Sequence, residues 1–250
     1  MRSLETHAHT GVHALKIASL VIGLMLATPM LAQEELAEGK PPGPAPPAES
    51  SDEEVWYTER ISSGDAPVRV EHLWSRGDRM RAETVFLGHP IVTIINGDRY
   101  IMFDRLAGTG VSIERSSRAI QDDASRARPF GNEFAILLEA GGEKVRTEEM
   151  GGRVCDVYRL TSSRGRREVC VTPDEDRLPL FRRVWLRGSS QTGETRYLEW
   201  SRNIEIPDAF FQPGSQVKLE YVSYDDYVKR ASKERIGPAP PMHRELLHGQ

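Results

Sequence analysis

Between Glu71 and Asp104 polar and apolar residues alternate with a period of two, the signature of β-strands. Met80, Ala82, Thr84 and Phe86 fall on one face of a strand, while Arg79, Arg81 and Glu83 point the other way. That pattern gives a sheet with one dry and one wet side. The next hairpin differs. Ile91, Ile95, Tyr100 and Met102 line one face, and Val92, Ile94, Ile101 and Phe103 line the other, so this hairpin needs cover on both. Arg76-Gly77-Asp78, Leu87-Gly88-His89-Pro90 and Asn96-Gly97 supply the turns. The last reads as a type I′ turn, which needs positive φ at both central residues.

The same habit continues along the chain. Val55-Trp56-Tyr57-Thr58 opens the folded part, Ser62-Ser63-Gly64-Asp65 turns it, and Val68, Val70 and Trp74 mark one face of the return. A strand follows over 110–115. The polar stretch 117–127 reads as a solvated helix or a mobile loop. The period then shifts to that of a helix over 132–140: Asn132 caps its start, Phe134, Leu137 and Leu138 share a face, and Gly141-Gly142 ends it. Strands resume from Lys144, over 153–161, 166–172, 180–187 and 195–205. A short helical turn at Pro207–Pro213 and a last strand at 217–221 complete the domain. The fold class is α+β, mostly β: a curved antiparallel sheet with one or two helices over one face.

Both ends of the chain differ in composition from this domain. Residues 1–32 read as a secretory signal, with Arg2 and Lys16 ahead of the apolar run Ile17–Ala32. The alternative is an uncleaved anchor, but the run has 16 residues against the roughly 20 that span a bilayer. Residues 33–54 are acidic and proline-rich and are expected to form a solvated linker. The half-barrel domain is assigned to 55–228, and the tail 229–250, with Pro238, Pro240 and Pro241, is expected to be disordered. The expected location is the periplasm, with no stable membrane span after processing.

Charge and motifs narrow the function classes. The full chain carries a net charge of −4, and residues 33–250 alone carry 31 basic and 36 acidic residues, a net of −5, which disfavours a nucleic-acid partner. No nucleophile elbow, zinc-binding H-E-x-x-H, phosphate-binding loop or C-x-x-C is present, so no enzyme activity and no cofactor are expected. With two cysteines and scattered histidines, no metal site is expected. Cys155 and Cys170 are expected to form a disulfide. If Ser162 and Ser163 form the loop between their strands, the two cysteines lie directly opposite, with Val154 facing Val171 and Arg159 facing Arg166. The arginines at 159, 164, 166, 167, 182, 183 and 187 read as the solvated coat of an outer face, with a patch for anionic headgroups or an acidic partner as the alternative.

Trp74, Met80, Phe86, Ile91, Ile95, Tyr100 and Met102, with Phe134, Leu137 and Leu138 of the helix above them, form the candidate ligand-binding set. One helix about 13 Å long, at roughly 1.5 Å per residue, hides little of a face four strands wide. The expected recess therefore lies on this face beneath the helix, with Arg167 outside it. With these residues in place the chain resembles the LolA-like superfamily of bacterial envelope proteins. The resemblance rests on Leu73-Trp74 with Arg76 and Met80-Arg81, on Ile95-Asn96-Gly97-Asp98-Arg99-Tyr100 followed by Phe103, and on Ile206-Pro207-Asp208-Ala209-Phe210-Phe211-Gln212-Pro213. It implies a curved half-barrel whose concave apolar face is covered by helices. It further implies non-catalytic binding of a hydrophobic ligand, such as a lipid or the acyl chain of a lipoprotein, in envelope biogenesis. The alternative is a protein-interaction or stress-sensing module for an envelope polypeptide.

The signal reading makes one direct prediction. N-terminal sequencing of envelope-extracted protein is expected to begin at Gln33; an intact Met1 on salt-washed membranes would identify an anchor instead.

Overall fold

The computed structural model describes residues 53–64 and 67–249; the predicted signal segment and all but the last two residues of the predicted linker lie outside the described residues. Six strands come first: β1 Val55–Ser63, β2 Arg69–Arg76, β3 Arg79–Phe86, β4 His89–Asn96, β5 Arg99–Asp104 and β6 Thr109–Glu114. Helices α1 (Ser117–Ala124) and α2 (Glu133–Glu139) follow, then β7 Glu143–Met150, β8 Arg153–Ser162, β9 Gly165–Val171, β10 Pro179–Leu186 and β11 Thr192–Arg202. A single 3-10 turn at Asp208–Phe211 leads to β12 Lys218–Val222, α3 Tyr224–Ala231 and α4 Arg244–His248.

All twelve strands form one curved, unclosed sheet in the order β12-β6-β5-β4-β3-β2-β1-β11-β10-β9-β8-β7. Neighbours pair antiparallel except β12, which runs parallel to β6. The mostly-β half-barrel read from the sequence is the fold observed. Turn placement differs in detail. Phe86 pairs with His89 and Asn96 with Arg99, so the central turn residues are Leu87-Gly88 and Gly97-Asp98. Asn96 is a strand residue whose amide donates to the Phe211 carbonyl at 3.3 Å.

The two faces of the β4–β5 hairpin are both buried, each beneath a different segment. On the outer face, Val92, Ile94, Ile101 and Phe103 pack with Val217 and Leu219. The chain crossing from β11 to β12 is fastened there: Arg81 donates to the Phe210 carbonyl at 3.0 Å, and Arg76 pairs with Asp208 at 2.5 Å. On the inner face, Met80, Ile91, Ile95, Tyr100 and Met102 join Leu73, Val111 and Ile113 in the main core.

The inner cover is the chain's own C-terminal segment, which corrects the expectation of a disordered tail. Tyr227 of α3, Ile236, Ala239, and Leu246 and Leu247 of α4 are buried in the same core. Gly237 has φ +82°, and a Cβ there would stand 2.7 Å from Val111 Cγ1, so the backbone itself is pressed onto the strand. The Met242 amide donates to the Tyr100 hydroxyl at 3.2 Å.

A buried charge cluster pins the segment further along. Glu71 and His243 are both almost fully buried. Arg60 Nε donates to Glu71 Oε2 at 2.8 Å, Arg69 Nε lies 3.3 Å from the same oxygen, and His243 Nε2 faces Oε1 at 3.5 Å. Burial alone would raise the Glu71 pKa; the positive charges of Arg60 and Arg69, with His243 alongside, hold it at about 2. Burial lowers the His243 pKa, an effect the Glu71 carboxylate only partly offsets.

Two further elements depart from expectation. Asn132 makes no side-chain cap; its amide donates to the Arg128 carbonyl at 2.7 Å and ties down the preceding loop. In the β8–β9 hairpin Ser162 pairs with Gly165, so the loop is Ser163-Arg164 and the register is offset from the expected one. Arg159 then faces Glu168 and donates to it at 2.7 Å, where the expected register would have set two arginines together. Cys155 and Cys170 still form the disulfide, as diagonal neighbours on one face with Cα atoms 5.7 Å apart.

The charge cluster predicts acid sensitivity. A carboxylate whose pKa is lowered by folding contributes stability above its ordinary value of 4.5 and loses it as pH falls toward about 2. His243, lowered below 6.5, acts in the same direction from that pH downward. Denaturant midpoints are therefore expected to fall between pH 7 and pH 3. Glu71→Gln, which leaves two arginines beside a neutral group, is expected to cost about 3–5 kcal/mol at pH 7 and to flatten the acid dependence. An unchanged pH profile in that variant would refute the assignment. Gly237→Val is expected to lift the segment and raise binding of an apolar dye to the folded protein; unchanged dye binding would mean the tail is not the cover.

Candidate functional site

Most of the sequence-predicted set lies in one place, but not in a recess. Met80, Ile91, Ile95, Tyr100 and Met102 are fully buried, and Phe86 packs at the edge of their cluster. These residues form a packed core under the C-terminal segment. Trp74 is on the opposite face, because Leu73 and Ser75 take the inward positions of β2. Its ring lies 5.2 Å from both Tyr57 and Phe210. Helix α2 lies over the other half of the sheet, against β8, β9 and β10. Leu137 is buried with Val169 and Val171, Phe134 meets Tyr158 edge-on at 4.7 Å, and Leu138 points to solvent.

Between these two covered regions the inner face opens into a cavity of about 500 Å³. Strands β1, β2 and β9–β11 form its floor, the loop 126–132 with the start of α2 one wall, and Met242, His243 and Glu245 the other. Local sequence shapes that loop. Arg128 is clamped over the rings of Trp56 and Trp200 at 4.8 and 5.1 Å, and burial lowers its pKa. Gly131, at φ +75°, comes so close to Trp200 that a Cβ would stand 2.6 Å from the ring. Only glycine fits there without moving the indole.

The lining combines an apolar side with an arginine-rich one. Phe130, Ile136, Leu137, Val169 and Met242 supply the first, and Arg60, Arg69, Arg126, Arg167 and Arg182 the second. Arg60 and Arg69 share Glu71, and Arg126 lies 3.6 Å from Asp123. Among the described residues Arg167 and Arg182 have no acidic partner, and the buried Arg69 Nε makes no hydrogen bond. Glu133 and Glu245 are the acids on the lining itself. Glu133 accepts from Tyr197, whose pKa is driven upward by burial and by that carboxylate. A pocket of this size and make-up suits a small ligand with one apolar and one anionic part.

The arginines split between faces. Arg167 pairs with Leu160 and Val184 on neighbouring strands and turns inward, which corrects its expected place outside the site. Arg159, Arg166 and Arg183 are outward, engaging Glu168, the Trp185 ring and Glu194. A signal for the cavity existed in the strand period: Arg60 falls in phase with Trp56 and Thr58, and Glu71 with Leu73 and Ser75. Charges in phase with a dry face are costly unless paired or functional. The candidate metal group among the described residues is Glu148 with Cys155 and Cys170, and the disulfide leaves Glu148 as its single donor.

No family model matches the chain, and no curated protein does. Among solved structures it is similar to an uncharacterized conserved protein from Thermus thermophilus, at 8% identity and a TM-score of 0.47 over 67% of this chain and 90% of that one. It is similar to the Pseudomonas aeruginosa MucA/MucB complex structure at 14% identity and a TM-score of 0.42, covering 67% of this chain and 58% of that one. A putative outer membrane lipoprotein-sorting protein domain from Vibrio parahaemolyticus matches at 12% identity and a TM-score of 0.32, over 66% and 92% of the two chains. At these values the matches carry no ligand, partner or activity over to this chain.

Proposed function

We propose that this chain is a binding protein of the cell envelope whose ligand is an anionic amphiphile, such as a fatty acid or the acylated part of a larger molecule. The observation that carries this reading is the cavity: two arginines without acidic partners among the described residues face an apolar wall across about 500 Å³. The apolar part of the ligand would lie against Phe130, Leu137, Val169 and Met242, gaining about 0.8 kcal/mol per buried methylene. Arg167 and Arg182 would hold the anion, with Arg69 Nε as a further donor. The Cys155–Cys170 disulfide supports a site outside the reducing cytoplasm.

A second reading has its own observation. The inner apolar face is already covered by a proline-containing polypeptide, the chain's own C-terminal segment. An envelope polypeptide with an acidic side chain would therefore be the alternative occupant of the arginine-lined cavity.

Titration of the folded protein with a fluorescent fatty acid and with its uncharged methyl ester tests the first reading. The acid is expected to bind saturably and the ester more weakly. Arg182→Ala and Arg167→Ala should each weaken the acid by about 10- to 100-fold, the worth of a hydrogen bond to a charged group. Leu137→Asp should weaken both probes. Equal binding of acid and ester, or no saturable binding, would refute an anionic amphiphile; displacement by an acidic peptide alone would establish the second reading.

A further inference from the structure

We infer that one rim of the sheet is a docking surface for an anionic lipid bilayer. In a meander, alternate turns return to the same rim. The register places the turns after β3, β5, β8 and β10 at one end, with the turns after β2, β4, β7 and β9 at the other. The Arg187 amide donates to the Arg164 carbonyl at 2.9 Å, so the turns after β8 and β10 lie side by side.

The residues at the first rim do not suit a merely solvated edge. Leu87, Leu106 and Leu186 are exposed there at 78%, 75% and 56%. Leu87 also holds φ +51°, in the left-handed region that a branched apolar residue disfavours. A two-residue turn of this kind is ordinarily served by asparagine or glycine, so neither burial nor turn geometry accounts for a leucine. Beside these tips stand Arg105, Arg164 and Arg187. Arg105 is shared with Glu83 at 3.1 Å, while Arg164 and Arg187 have no side-chain partner among the described residues. Of the carboxylates beside this rim, Glu83 is the one paired with Arg105, Glu143 is exposed at the start of β7, and Asp104 is turned inward, accepting from the Leu106 and Ala107 amides and facing His89.

The opposite rim carries carboxylates at its turn tips, two of them paired with flanking arginines: Asp98 with Arg99 at 3.7 Å and Asp176 with Arg202 at 3.2 Å. Asp78, Asp98, Asp174, Glu175 and Asp176 are all exposed at its turns. A molecule with cationic, leucine-tipped turns at one end and acidic turns at the other is oriented by an anionic surface, with the first rim inward. Isolated leucine tips flanked by arginines fit the interface of a bilayer, where the chains enter and the guanidinium groups meet headgroup phosphates. The proposal is independent of what fills the cavity.

The test reads the rim locally, so that binding through residues 17–32 cannot imitate it. Leu87→Cys, Leu106→Cys and, on the opposite rim, Asp98→Cys are made in the full chain and labelled with an environment-sensitive fluorophore; the disulfide leaves the introduced thiol as the reactive one among the described residues. Vesicles of phosphatidylcholine, with and without phosphatidylglycerol, are added. The labels at 87 and 106 are expected to shift to the blue and brighten on the anionic vesicles, while the label at 98 stays at its aqueous emission. Adding Arg164→Glu and Arg187→Glu should abolish the difference between vesicle types, and high salt should reduce it. Labels at 87 and 106 that remain aqueous on both vesicles, or a label at 98 that responds equally, would overturn the proposal. So would a response to polyglutamate with none to vesicles, which would make the rim a protein-docking surface.

Discussion

A strand pair that is apolar on both faces has to be buried twice, and the rest of this molecule is arranged by that requirement. Val92, Ile94, Ile101 and Phe103 on one side and Ile91, Ile95, Tyr100 and Met102 on the other cannot be left in water without losing roughly 1.5–3 kcal/mol per large side chain. The crossing before β12 covers the first set. The segment after β12 covers the second, and its short helices have little else to hold them in place, since a helix of five to eight residues is marginal alone. Their stability comes from the face they close.

That arrangement separates core from cavity. Where the C-terminal segment packs on the sheet the inner face is filled; beside Met242, His243 and Glu245 the floor passes from Ile and Met to arginine. Glu71 stands at the boundary. It pairs with Arg60 and Arg69, while Arg167 and Arg182, farther across the sheet, have no acidic partner among the described residues. The cationic character of the cavity is therefore a matter of where one buried carboxylate falls in the strand pattern.

How much of this is legible in the sequence follows from the range of each interaction. The period of two assigns Met80, Ile91, Ile95, Tyr100 and Met102 to one face correctly, because alternation is local to a strand. The destination of α2 is not local. Helical spacing identifies Phe134 and Leu137 as a packing face, but nothing nearby distinguishes β4–β5 from β8–β10 as the surface they meet. Size misplaces Trp74: the bulkier residue is expected inward, whereas Leu73, in phase with Glu71 and Ser75, holds that position. Composition misleads at the tail, since prolines and charges mark disorder only when no apolar residue finds a partner, and Ile236, Leu246 and Leu247 each do.

The cover of the inner face has a consequence for the order in which the chain assembles. Tyr100 is completed by Met242, 142 residues downstream, so the central hairpin emerges from synthesis long before its lid exists. During that interval a broad apolar surface stands open, and contacts this distant in sequence are slow to form. A fusion placed at the C-terminus burdens the last step of folding rather than an idle end.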